Sequence, residues 1–248
     1  MYDYKTGSGT TAAAALVDRA VAVGATSFWV EPSRWTTAPI WAPAELGAMV
    51  DRAQQVGLPV VLWTLPGFKS VEDDLAKVRA ASEFRGPRGG RAVMIGLDVE
   101  VPDNAAPAVR TERLVALLRR VRTVTDLPIV AIPPNPVGMA RRPEYWPGFP
   151  WAEIARRTDA VAPMGYWSFR KDDPVAYSRA VVDGVRDLVG PRPPIHLVGG
   201  LAEDTSAAGY RAFCAYAHRA GLVGVGIYDL SSMKPGTEAG LAACRTLG

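Results

Sequence analysis

The feature that most constrains the fold of this chain is a strict alternation of short β-rich runs with longer helical ones. Seven runs rich in Val, Ile, Trp and Tyr read as strands, at residues 25–31, 59–65, 93–100, 128–134, 159–167, 194–200 and 223–230. Between them, segments 41–57, 70–84, 110–125, 149–158, 175–189 and 207–221 carry apolar residues at helical spacing, and an opening helix at 11–24 precedes the first strand. Most strands are introduced by a Gly or Pro turn. Parallel strands can be joined only through crossover connections, so this order calls for an α/β fold with a mostly parallel sheet covered by helices.

A repeat that opens on a helix needs a strand before it, and residues 1–9 would have to supply that strand. The stretch "MYDYK" is only weakly β-prone. The expected architecture is therefore a (β/α)8 TIM-type barrel whose first strand is short, degenerate or missing. At 248 residues the chain has the usual size of one such barrel, and residues 1–248 are expected to form a single domain. An open doubly wound sheet is the alternative. No Gly-rich dinucleotide fingerprint follows any strand, and "GPRGG" at 86–90 precedes a strand, the wrong order for cradling a phosphate.

Charge and composition narrow the partners. Lys plus Arg total 28 against 25 for Asp plus Glu, and the excess is spread along helical segments such as "LVALLRRVR", so no basic stripe suited to nucleic acid forms. No window approaches 18 consecutive apolar residues, so no membrane span is expected. "MYDYKTGSGT" lacks the cationic start and apolar stretch of a secretory signal. Its polar, glycine-bearing opening reads as a fragment whose leader has been removed. The expected location is extracellular or in the cell envelope, with the cytoplasm as the alternative. Cys214 and Cys244 fall on the last two helical segments and could be buried thiols or one disulfide, with thiols the favoured reading. His196 and His218 lie in different elements, so no metal site and no cofactor are expected.

In barrels of this kind the chemistry is built at the C-terminal ends of the strands. Strand alternation sorts the residues found there. If Phe28 and Val30 face the helices, Trp29 and Glu31 face the barrel axis; with Leu97 and Val99 outward, Asp98 and Glu100 point inward. The other ends contribute Trp63, Asn135, Met164, Tyr166, Trp167 and Tyr228 with Asp229, although the alternation that turns Tyr228 inward sends Asp229 to the other side. With 25 acids in 248 positions, chance alone supplies roughly two or three pairs spaced like Asp98 and Glu100, so location carries the inference. Glu72 and Asp74 share that spacing but open a polar helix, where acids favour the dipole. Asp98 and Glu100 end a buried strand, where desolvation and mutual repulsion should raise the pKa of one of them and produce the protonated carboxyl that general acid catalysis requires. The alternatives are a salt bridge to Arg34, Arg91 or Arg170, or solvation at the rim.

Two motifs carry a resemblance. "GLDVE" resembles the strand-end Asp-x-Glu of the family-25 glycoside hydrolases, the muramidase barrels, and "DAVAPMGYW" is similar to the Met-x-Tyr strand of the family-18 chitinases. The likeness implies a TIM-like barrel that cuts polysaccharides containing N-acetylated amino sugars. Carried onto this chain, it implies that Glu100 donates the proton, Asp98 supports it and Tyr166 holds the substrate's acetamido group. The fuller chitinase pattern has aspartates where this chain has Val93 and Gly96, and an Asp where it has Trp167; nothing here matches the "G-x-D-x-S" opening of the muramidases.

The leading expectation is a glycoside hydrolase acting on a cell-wall or amino-sugar polysaccharide. Glu100 and Asp98 are its candidate catalytic residues, with Glu31, Trp63, Asn135, Tyr166, Trp167, Tyr228 and Asp229 as candidate substrate contacts. Indole faces such as those of Trp63 and Trp167 suit the CH face of a sugar ring. A non-catalytic carbohydrate-binding barrel is a second expectation. A third is a metal-assisted hydrolase gathering Glu31, Asp98, Glu100 and Asp229 around a hard cation.

Overall fold

The computed structural model describes residues 9–100, 105–190 and 193–245. Its strands are β1 (Phe28–Arg34), β2 (Val60–Leu65), β3 (Met94–Asp98), β4 (Ile129–Ile132), β5 (Ala160–Val161), β6 (Met164–Gly165), β7 (His196–Leu201) and β8 (Gly224–Tyr228). The helices are α1 (Gly9–Ala22), α2 (Pro43–Gln55), α3 (Val71–Glu83), α4 (Pro107–Arg120), α5 (Pro136–Arg141), α6 (Trp151–Arg157), α7 (Pro174–Val189) and α8 (Ala207–Arg219). Every strand pairing is parallel, in the order β1-β2-β3-β4-β5 and then β6-β7-β8. The architecture is the α/β barrel type expected from the alternation.

The strand expected over 159–167 is split into β5 and β6 at Pro163, which has no N–H to give to a ladder. The run is nevertheless continuous in space: Met164 bridges back to Pro134 beside β4, and Val161 pairs with Ile195 at the start of β7. Among the described residues β8 and β1 are not hydrogen-bonded to each other, and a cavity of about 210 Å³ lies at this flank, chiefly beside the N-terminal ends of the strands. The strand expected from residues 1–9 falls outside the described residues, except for Gly9, which begins α1.

Two apolar layers follow from strand alternation. Phe28, Val30, Leu62, Leu97, Val99 and Leu197 turn outward into the layer beneath the helices, where they are at most a few per cent exposed. Trp29, Val61, Trp63, Val130, Ile132 and Val198 turn inward and fill the barrel. Full burial of such a side chain contributes roughly 1.5–3 kcal/mol relative to exposure. Room for the inner tryptophans comes from small residues on neighbouring strands. A Cβ at Gly96 would stand 2.5 Å from Cβ of Trp63, so only glycine fits opposite that indole. Near the floor, the His196 ring stacks on Trp29 with centroids 4.7 Å apart, and burial lowers its pKa to about 4, leaving a neutral imidazole at neutral pH.

Polar side chains at the helix starts satisfy otherwise unpaired amides. Ser70 accepts from Asp73 N at α3, Asp173 from Val175 N and Ala176 N at α7, and Ser206 from Gly209 N at α8. The cysteines depart from the favoured expectation of free thiols: Cys214 of α8 and Cys244 form a disulfide with Cα atoms 4.8 Å apart. The reason is tertiary. The C-terminal 3-10 segment Glu238–Cys244 folds back along α8 and brings the two side chains together.

Candidate active site

The site begins with an irregularity in β1. Val30 pairs with Leu62, but the next paired residues are Ser33 and Thr64, so three steps on β1 face two on β2. The extra residue falls beside Pro32, which cannot donate to the ladder. As a result both Glu31 and Arg34 turn toward the axis, which simple alternation forbids for residues three apart. Glu31 is 1% exposed and is gripped by the guanidinium on two edges: Nε of Arg34 donates to Oε1 at 3.1 Å, and Nη2 donates to Oε2. This is the fork geometry in which Arg–carboxylate pairs are strongest.

Strand β3 supplies Asp98 at its end and Glu100 two residues on, both toward the axis. Asp98 is buried, and its Oδ1 has no hydrogen-bond partner among the described residues. Burial first, then the charges of Glu100 and Glu31, push its pKa well above the ordinary carboxylate range. Glu100 is half-buried and its pKa is raised by desolvation. The two carboxyls influence each other, so the pair keeps a proton at a pH where isolated acids have lost theirs. Neither takes part in an ion pair among the described residues; of the arginines considered as partners, Arg34 engages Glu31.

Aromatic side chains complete the enclosure. Trp63 lies one inward step below Asp98 on β2, and its Nε1 is buried with no acceptor among the described residues. Tyr166 and Tyr228 pack against the inner layer with ring centroids 6.2 Å apart. Burial, followed by the negative charge of Asp98 and Glu100, raises the Tyr166 pKa well above 10 and keeps its hydroxyl protonated. The structure thus brings together Glu31, Trp63, Asp98, Glu100, Tyr166 and Tyr228.

Three other candidates are placed elsewhere. Trp167 directly follows Tyr166, so the alternation that turns the tyrosine inward turns the indole outward, where it is 3% exposed and packs on Phe213 at a centroid distance of 4.6 Å. Asp229 has its carboxylate in a turn, accepting from Ser232 N at 3.0 Å and from the Ser231 hydroxyl. Asn135 lies beside the barrel, but its amide is engaged: Oδ1 caps α5 through Gly138 N at 2.7 Å and accepts from the Tyr177 hydroxyl, while Nδ2 donates to Met164 O at 2.6 Å. The Asp229 carboxylate is engaged within its own turn, and among the described residues no three His, Cys, Asp or Glu side chains cluster as metal ligands would. No helix among them is long and apolar enough to cross a membrane.

The parallel α/β barrel fold is shared with solved structures, and the same fold type occurs in those of glycoside hydrolases. A class V chitinase from Pseudomonas fluorescens superposes with a TM-score of 0.69 at 11% identity, covering 97% of this chain and 98% of its own. The spore cortex-lytic enzyme SleL of Bacillus cereus gives 0.68 at 11% identity over 94% of this chain and 70% of its own. The PgaB glycoside hydrolase domain from Bordetella bronchiseptica gives 0.63 at 13% identity over 96% and 94%. No protein-family model and no curated protein matches the sequence.

Arg34 is a residue of this site that sequence reasoning read otherwise, as a partner of the Asp98–Glu100 pair and not of Glu31. Pro32, directly after the strand read at 25–31, was the available signal, because a proline beside a strand ladder implies a bulge.

Proposed function

We propose that this protein is a glycoside hydrolase that cuts a polysaccharide carrying N-acylated amino sugars, with Glu100 as general acid. The observation that carries this reading is the carboxyl pair on the barrel axis, Asp98 buried with a lone oxygen and Glu100 half-exposed at the mouth. A protonated Glu100 donates its proton to the leaving glycosidic oxygen as the bond to the anomeric carbon breaks. Glu31 is neutralised by Arg34 and poorly suited to attack that carbon. The substrate's own acetamido oxygen is the better-placed nucleophile in this scheme, its N–H held by Oδ1 of Asp98. Trp63 Nε1 and the protonated Tyr166 hydroxyl are donors for the groups around it. Water then opens the intermediate while the Glu100 carboxylate takes its proton.

Support for the amino-sugar class comes from Trp63 Nε1 and Asp98 Oδ1, a donor and an acceptor that each lack a partner among the described residues, as the two ends of an amide would require, and from the chitinase among the structural neighbours. The resemblance of "GLDVE" and "MGY" to the muramidase and chitinase motifs points the same way. The Cys214–Cys244 disulfide favours an oxidising compartment, in keeping with an extracellular or envelope enzyme.

The test is release of reducing ends from peptidoglycan, chitin-like and neutral glycans by wild type and Glu100→Gln. Loss of a general acid lowers turnover by about 10²–10⁴. Equal turnover by the two proteins would remove Glu100 from the chemistry. Binding of a glycan by wild type without any release of reducing ends would make the barrel a carbohydrate-binding module instead.

A further inference from the structure

We propose that Arg34 is a positioning residue of this site, acting through Glu31: its guanidinium holds Glu31 as an ionised carboxylate, so the proton available to the three axis carboxyls stays with Asp98 and Glu100. This rests on the glycoside-hydrolase reading and adds the device that keeps its general acid protonated. Carboxyls turned into one barrel interior compete for a proton, and general acid catalysis works only if the proton lies on the group that faces the leaving oxygen.

The competition is decided by the shape of β1. The extra residue beside Pro32 puts positions 31 and 34 on one face, where regular alternation would send the guanidinium out beneath the helices and leave Glu31 alone. Glu31 is 1% exposed and Arg34 34%. Each Glu31 oxygen accepts from its own edge of the fork, Oε1 from Nε at 3.1 Å and Oε2 from Nη2. The backbone that carries the guanidinium is fixed by the turn after β1: Arg34 N donates to Thr37 Oγ1 at 3.0 Å, and Thr37 N donates to Arg34 O at 3.1 Å. A carboxylate gripped on both oxygens by a cation is held in its charged form.

The groups that face the Asp98–Glu100 pair among the described residues make this ion pair the charged neighbour. β4 sets the apolar Ile132 beside Asp98, and β2 offers the uncharged Trp63. Tyr166, after β6, keeps its proton, and Tyr228 of β8 lies against it. From β1, the charge of Glu31 acts on Asp98 and that of Arg34 on Glu31. Held ionised, Glu31 repels a negative charge on the pair and does not take the proton itself. β1 and β3 are two strand spacings apart, about 10 Å, and a unit charge at that distance with an effective dielectric constant of about 20 moves a titration by about one pH unit.

The experiment measures kcat/KM against pH on N-acetylglucosamine oligomers and follows the side-chain carboxyl signals of the same proteins by carbon NMR. In wild type the Glu31 signal should stay constant between about pH 5 and 8, while those of Asp98 and Glu100 move. Arg34→Gln should bring Glu31 into that range as a third titrating carboxyl. Glu31→Gln removes the repulsion and leaves the cation, so the alkaline limb of the rate profile should move down by about one pH unit. The double variant Glu31→Gln with Arg34→Gln removes both charges and should lie between Glu31→Gln and wild type. Arg34→Lys keeps the charge and should leave the limb in place, even where loss of the fork lowers kcat. A merely structural role would lower kcat or the melting temperature in these variants without moving the limb or the Glu31 signal. If Arg34→Gln fails to fold, Glu31→Gln decides, because the cation it leaves is one-third exposed and can reach water. An alkaline limb of Glu31→Gln that coincides with wild type, or a wild-type Glu31 that titrates together with the pair, overturns the proposal. A wild type that cuts no glycan overturns the hydrolase reading, and the carboxyl signals then decide by themselves whether Arg34 keeps the proton on the pair.

Discussion

Replacing Asp98 with asparagine should stabilise the protein at neutral pH while impairing turnover. The wild-type carboxyl is buried, lacks a partner for Oδ1 and faces the charges of Glu100 and Glu31, so its pKa lies well above the ordinary aspartate value of 3.8. The sign follows from proton counting. Above pH 3.8 the unfolded chain has released this proton and the folded protein still holds it, so unfolding releases a proton and is favoured by rising pH. Through that window the wild type loses about 1.36 kcal/mol of stability per pH unit, until the folded carboxyl also ionises. For a chain of this size 1 kcal/mol moves the melting temperature by about 2–4 °C, so wild type should fall behind Asp98→Asn by roughly 3–5 °C per pH unit. Thermal melts of both proteins from pH 4 to pH 8, followed by circular dichroism, give the difference curve directly. It should be small near pH 4, grow with pH and level off once the folded acid is ionised. Parallel melting profiles at every pH would refute the reasoning, because they would mean that Asp98 ionises as freely in the folded protein as in the unfolded chain. Higher stability together with lower turnover is the expected signature of an acid retained for function at the expense of the fold.

Two further outcomes separate packing from substrate contact. Trp167→Ala should cost about 3–5 kcal/mol of stability by opening a cavity against Phe213, with the loss read in a denaturant melt; a fall in glycan affinity with unchanged stability would return Trp167 to the site. Reducing the Cys214–Cys244 bridge, whose sequence separation is 30, should lower stability by about 3–4 kcal/mol; identical melts with and without reductant would show that the C-terminal segment does not depend on it.

Much of this site could be read from the chain because strand alternation is a local property. Side chains two apart on an extended backbone share a face whatever the rest of the fold does, so the inward direction of Trp29, Glu31, Asp98, Glu100 and Tyr228 followed from strand alternation, while Trp63 and Tyr166 were legible only as residues at strand ends. The same rule, applied one residue further, sends Trp167 outward. The order of strands and helices likewise determined parallel pairing and the barrel type, because crossover connections leave few other arrangements. Tertiary structure decided what each polar group does once it arrives. The bulge beside Pro32 brings Arg34 onto Glu31, because register depends on the neighbouring strand. Asn135 is drawn into a helix cap and a tie to Met164, because α5 and β6 meet there. Cys244 reaches Cys214 only because the last segment folds back on α8. Hydrogen-bond partners, ion pairs and exposure depend on groups distant in sequence, so the chain alone could place these acids at strand ends but not say which of them is paired with an arginine and which is not.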